Sequence, residues 1–199
     1  RDAVLVKGRD IAALVDYLYL SAWTARDSGT SQDLQDVAYG GNLLVAVGSV
    51  GTIRTSTDGV TWTSRTSGVL QTLNGVAYGD GMWVVVGFSG RVMTSPDGVT
   101  WTARDSGTSQ NLEGVAYGGG VWVAVGGNGT ILTSTNGISW TSRTSGVSSR
   151  LDGIAYGGMW VAVGESGRIL TSTNGISWTS RTSGTTYSLW GIAYGDGMW

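Results

Sequence analysis

Histidine and cysteine are absent from the 199 residues, and there is one proline and a single lysine. Without His there is no imidazole base, no Ser-His-Asp or Cys-His nucleophile and no His-ligated metal. Without Cys there is no disulfide frame, thiolate zinc site or iron–sulfur cluster. No cofactor or metal is therefore expected. Charged residues make up 13% of the chain and the net charge is -2, so no basic face is available for nucleic acid. No apolar run approaches the ~20 residues of a membrane span. No signal peptide precedes the rest, and a start at Arg1 rather than Met is expected of a processed form or a piece of a longer chain.

Glycine and tryptophan are abundant, with 34 and 10 copies, and 41% of residues are apolar. Both follow from a repeat. Leu-x-Gly-Val/Ile-Ala-Tyr-Gly recurs from Leu73, Leu112, Leu151 and Leu189, with the variant L-Q-D-V-A-Y-G from Leu34; three spacings are 39 residues and the last is 38. Each copy continues as V-W-V-A-V-G, G-T-I-L-T-S and W-T-S-R. Four runs rich in Val, Ile, Thr, Trp and Tyr, each bounded by Gly, predict a meander of antiparallel strands A, B, C and D. Strand B is apolar on both faces, which requires sheets stacked against one another. A helix is excluded, because apolar residues do not recur at a spacing of three to four.

The fold class expected is all-β, a five-bladed β-propeller of four-stranded antiparallel blades forming one domain over residues 1–199. Residues 34–72, 73–111, 112–150 and 151–188 form full blades. Residues 189–199 supply strand A and the start of B of a composite blade, and residues 1–33 supply its B, C and D. The run W-T-A-R-D-S-G-T-S-Q from Trp23 repeats residues 101–110 without a change. Residues 8–21 match least well and are read as a deviant strand C, with a short helix outside the propeller as the alternative. Such closure removes open sheet edges.

The C–D turns read S-T-D-G-V-T-W at Ser56–Trp62, S-P-D-G-V-T-W at Ser95–Trp101, and S-T-N-G-I-S-W at Ser134–Trp140 and Ser172–Trp178. They resemble the Asp-box, or BNR repeat, of sialidases and of the Ycf48-like photosystem assembly factors, and the whole repeat is most similar to the Ycf48/BNR-like propellers. The turn is one residue shorter than the usual Asp-box. Asn136 and Asn174 replace Asp, and Tyr19 stands where the composite blade would carry it. Asp and Asn interchange freely, so these residues are read as turn-forming rather than catalytic. The repeated Tyr and strand-D Arg are read as framework.

Variation among copies falls elsewhere. D–A and B–C connections differ between copies while A–B and C–D turns nearly repeat. In a meander the two variable sets emerge on one face, at the mouth of the central channel, where loops on a rigid scaffold carry binding. The residue after each A-strand Leu rings that mouth: Gln35, Asn74, Glu113, Asp152 and Trp190. Gln71, Gln110, Arg150 and Tyr187 stand outside them. Amides, acids, one Arg and two aromatics suit a glycan or a polar peptide; relaxed drift in exposed loops is the alternative. The function expected is a non-catalytic recognition module for a glycan or protein, extracellular or on a cell or virion surface. A structural subunit of a fibre, phage tail or appendage is the second reading, self-assembling through the composite blade by strand donation. A glycoside hydrolase would need two carboxylates from among Glu113, Asp152, Glu165 and Asp33 on this face. An assembly-factor role rests on the resemblance to Ycf48 alone.

Overall fold

The computed structural model describes residues 24–199. Expectations for residues 1–23, including strand C at residues 8–21, lie outside the described residues. Among the described residues there are four four-stranded antiparallel sheets. The first holds β1 (Leu34–Gly40), β2 (Leu43–Gly48), β3 (Ile53–Ser56) and β4 (Thr63–Arg65). The second holds β5 (Leu73–Gly79), β6 (Met82–Gly87), β7 (Arg91–Ser95) and β8 (Thr102–Arg104). The third holds β9 (Leu112–Gly118), β10 (Val121–Gly126), β11 (Ile131–Ser134) and β12 (Thr141–Arg143). The fourth holds β13 (Leu151–Tyr156), β14 (Trp160–Gly164), β15 (Arg168–Ser172) and β16 (Thr179–Arg181). Each sheet is a simple A-B-C-D meander. The A strands β1, β5, β9 and β13 are neighbours in turn, so they form the inner wall.

The core lies between sheets, as the two-sided hydrophobicity of strand B requires. Val45, Val47 and Ile53 of the first sheet pack on Leu73, Val76, Trp83, Val85 and Met93 of the second. The same set recurs one repeat on, with Val84, Val86 and Val92 against Leu112, Val115, Trp122, Ala124 and Leu132. It recurs again from Val123, Val125 and Ile131 to Leu151, Ile154, Trp160, Ala162 and Leu170. The repeated Tyr belong to this framework. Tyr78, Tyr117 and Tyr156 each lie 4.9 Å, centroid to centroid, from the strand-B Trp of their own sheet. Each also lies over a glycine of the preceding A strand (Gly40, Gly79 or Gly118), where a β-carbon would enter the ring.

Residues 189–199 repeat the A–B hairpin in part. Gly195 and Met198 form a bridge, and Tyr194 lies 4.8 Å from Trp199. Tyr194 covers Gly157 as Tyr156 covers Gly118. The 38-residue spacing also has a location: the A–B turn before Trp160 is one residue shorter than those before Trp83 and Trp122.

The C–D turns show why Asp and Asn interchange. Asp97 Oδ1 accepts from the N–H groups of Val99 and Thr100, both at 2.8 Å, and from the Ser95 hydroxyl at 2.9 Å. Asn136 Oδ1 accepts from Ile138, Ser139 and Ser134 in the same way. A single oxygen is used, and both residue types supply it. The turn Trp then donates back from Nε1, as Trp101 does to Gly98 O at 3.2 Å. Strand-D arginines brace the same edge: Arg65, Arg104, Arg143 and Arg181 donate from Nε to Thr55, Thr94, Thr133 and Thr171.

These turn bonds depress the acids. The backbone N–H groups of Thr61 and Val60, then the Ser56 hydroxyl, hold Asp58 down to about 2 from 3.8; Thr100, Val99 and Ser95 do the same for Asp97. A depressed carboxyl contributes stability that is complete above the unfolded value of 3.8 and lost as pH falls towards about 2. Acid titration of the denaturation midpoint is expected to show a loss in that window. Joint Asp58→Asn and Asp97→Asn substitution removes this share of the loss and keeps the turns folded.

The B–C turns force a non-glycine residue into the left-handed region in every sheet: Val50, Ser89, Asn128 and Ser166, with φ of 53 to 56°. A β-branched residue is the poorest fit there. Val50→Asn, copying the third sheet, is expected to raise stability by about 1 kcal/mol, read by chemical denaturation. No gain would mean that the surrounding turn has already absorbed the strain.

Candidate functional site

Four of the five ring positions have an unusual backbone origin. In the A–B ladder Leu73 pairs with Gly87 and Gly75 with Val86, so Asn74 is an extra residue with no partner. Gln35, Glu113 and Asp152 are extra in the same way. Each sheet therefore carries a β-bulge at the same place, a device that turns a side chain away from the pleat and is frequent beside functional sites. Glycine follows the bulge in three sheets, and the A strands approach closely there: a β-carbon on Gly75 would lie 3.1 Å from Gly114 Cα. The first sheet has Asp36 instead, and its carboxylate accepts from Val76 N of the next A strand at 3.0 Å. Sequence comparison of the copies marked that position as a departure but gave it no role; it bridges two A strands.

D–A loops and B–C turns meet on this face. Ser49, Phe88, Gly127 and Glu165 donate their backbone N–H to the carbonyls of Asp33, Thr72, Asn111 and Arg150, at 2.8 to 2.9 Å. Neighbouring sheets are tied as well, with Ser89 N donating to Asn111 Oδ1 at 3.0 Å.

Five of the nine expected site residues fall into two contacting sets that act on one another through charge. Asn74 donates from Nδ2 to Leu112 O at 3.0 Å and to Glu113 Oε2 at 2.9 Å. Arg150 Nε lies 2.6 Å from Asp152 Oδ1 and 3.7 Å from Glu165 Oε1. The Arg150 guanidinium sits 5.3 Å from the Trp190 ring centroid, within cation–π range. Glu165 thus joins the group from the B–C turn, and its backbone-linked partner is Arg150, whose N–H it accepts at 3.3 Å. The variability of the B–C loops was the signal that could have placed Glu165 in the set. Gln35 and Gln110 are exposed, Gln71 is half-buried and Tyr187 is 82% exposed; their side chains make no hydrogen bond to the group.

Electrostatics set the character of the group. Burial raises Glu113, opposed by the Arg150 charge and reinforced by Asp152 and Glu165. Burial likewise raises Asp152, with Arg150 opposing and Glu165 reinforcing. Among the described residues no cluster of acids is disposed to hold a metal ion. Two shallow depressions of about 380 and 610 Å³ flank the first and fourth sheets, between strands C and D and the D–A loop. Both are lined by Ser, Thr, Gly and Arg, the first also by Val50, Ile53, Val69 and Leu70, and Tyr187 is the one expected site residue at either. Neither is lined by an acid of the group, although the second borders Ser166 beside Glu165.

The class defined by these radially neighbouring meanders is the β-propeller. Among solved structures, the chain is similar to Ycf48 bound to a D1 peptide, with a TM-score of 0.70 at 20% identity, over 87% of this chain and 61% of that one. It is also similar to Ycf48 from Cyanidioschyzon merolae, with a TM-score of 0.58 at 14% identity, over 82% of this chain and 63% of that one. The chain spans about three-fifths of the length of these two structures. No family model and no curated protein matches.

Proposed function

We propose that the protein is a non-catalytic recognition module that binds a protein segment across the mouth of a propeller channel. One observation carries this reading: a bulge at the same place in every sheet lifts the non-repeating residues Gln35, Asn74, Glu113 and Asp152 out of the ladder, on the face where the D–A loops and B–C turns meet. A scaffold that repeats everywhere except at one ring of polar side chains suits selective contact. A peptide fits better than a glycan. Trp190 and Tyr187 are exposed, and Trp190 already carries a guanidinium on one side, the contact a basic peptide side chain would repeat on the other. That one similar propeller is bound to a peptide supports the same choice.

Five blades complete the reading, with residues 189–199 beginning the composite one. The support is local: Tyr194, Trp199, Gly157 and the Asp196-Gly197 turn repeat the geometry of the earlier A–B hairpins. Trp199 is 47% exposed where its equivalents Trp83, Trp122 and Trp160 are at most 1%.

A peptide array and a glycan array probed with the full chain test this function. Peptide binding that weakens in Trp190→Ala and Glu113→Gln variants is the expected result. Glycan binding alone, or peptide binding indifferent to both substitutions, would defeat it.

A further inference from the structure

We propose that the group formed by Glu113, Asp152, Glu165 and Trp190 is a receptor for a basic side chain, the guanidinium of an arginine or the ammonium of a lysine on the partner. The proposal rests on the reading of this mouth as a protein-binding face and names what that face selects.

Charge gives the first argument. Two carboxylates, Asp152 and Glu165, lie against the Arg150 guanidinium and Glu113 feels the same charge, so three acids face one cation and the group carries an excess of negative charge. The second argument is an unpaired buried atom. The Asp152 side chain is only 7% exposed; its Oδ1 faces Arg150, and its Oδ2 is buried with no donor. A carboxylate oxygen taken out of water without a partner is costly, and a cationic donor removes that cost. Glu113 accepts from Asn74 through Oε2, and among the described residues no other hydrogen bond to its carboxylate is found.

Arg150 shows the chemistry such a group favours. It combines an ion pair to Asp152 with a cation–π contact to Trp190, yet its Nε makes no aligned hydrogen bond. It neutralises part of the acidic charge without filling the site. Trp190 remains 70% exposed and can serve a second cation. A metal ion is the poorer occupant, because the acids are not disposed around one point. Guanidinium and ammonium groups span such a spread through several divergent N–H donors.

The test titrates the ¹⁵N-labelled full chain with three capped tripeptides, acetyl-Gly-Arg-Gly-amide, acetyl-Gly-Lys-Gly-amide and acetyl-Gly-Gln-Gly-amide. The Trp190 indole and Asn74 amide resonances are followed. The Arg and Lys peptides are expected to move both resonances, less so at higher salt, and the Gln peptide to leave them in place. Glu113→Gln and Asp152→Asn should each weaken binding about ten-fold, the scale of one charge-assisted hydrogen bond. Arg150→Gln should strengthen it, because the built-in positive charge no longer opposes the ligand. Equal response to the Gln peptide, or affinity unchanged in Glu113→Gln, overturns the proposal. If Asp152→Asn fails to fold, the half-buried Glu113 decides alone. Longer peptides that bind as before in the Glu113→Gln chain would leave the recognition function standing and remove this inference. Arg-specific shifts with no longer peptide held more tightly than the tripeptide would do the reverse.

Discussion

Trp122→Ala is expected to lower the unfolding free energy by about 3–5 kcal/mol. Trp122 is fully buried in the middle of the third sheet, against Val84, Val86 and Val92 of the second sheet and Leu112 and Leu132 of its own. It also meets the Tyr117 ring at 4.9 Å. Truncation opens a cavity between two sheets whose backbones are fixed by their own ladders, so collapse around it is limited. Trp140→Ala offers the contrast: this Trp is half-buried at the sheet edge and should cost less, mostly through packing and its bond to Gly137 O. Urea denaturation of both variants gives the comparison. Equal losses would show that the cores between sheets do not carry the stability assigned to them.

The second large effect is expected at Gly90. This residue has φ of +69°, and a β-carbon there would overlap the carbonyl oxygen of Thr108 and lie 2.9 Å from Ser106 Oγ. Both neighbours belong to the loop that leads from β8 to β9, and the carbonyl cannot swing away as a side chain would. Left-handed strain of about 1–2 kcal/mol adds to an overpacking cost of about 1–3 kcal/mol. Gly90→Ala should therefore lose about 2–5 kcal/mol in total. Gly107 isolates the two parts, since its φ is +73° with nothing within 4 Å of a β-carbon. Gly107→Ala should lose only the strain, about 1 kcal/mol. If the two variants melt together, the contact with Thr108 is not the constraint.

Much of this architecture was legible in the sequence because the repeat prints each element several times. Alternation cannot identify strand B, whose residues are apolar on both faces, but its recurrence between glycines does. The interchange of Asp97 and Asn136 was legible for a similar reason: two residue types that share one acceptor oxygen are compatible with a turn and not with charge chemistry. The bulges were not legible. Leu-Asn-Gly reads as three ordinary strand residues, and the unpaired status of Asn74 follows from its partner strand, which local composition does not report. The salt-bridged group was half-visible. Arg150, Asp152 and Trp190 were marked by their departure from the repeat, whereas the link from Arg150 to Glu165 depends on a D–A loop meeting a B–C turn fifteen residues away. The strand-D arginines show the opposite case, in which periodicity alone gave the framework role that their threonine bonds fulfil.

The bulge separates two requirements that most strand residues must meet together. A residue within a ladder has to suit its cross-strand partner and the core behind it, so replacing it perturbs folding. The extra residue answers to neither. Gln35, Asn74, Glu113 and Asp152 occupy equivalent places with different sizes and charges, and the register of every sheet is the same around them. Binding preference in such a chain can be rewritten by one substitution per blade, while the folding instructions pass unchanged from copy to copy.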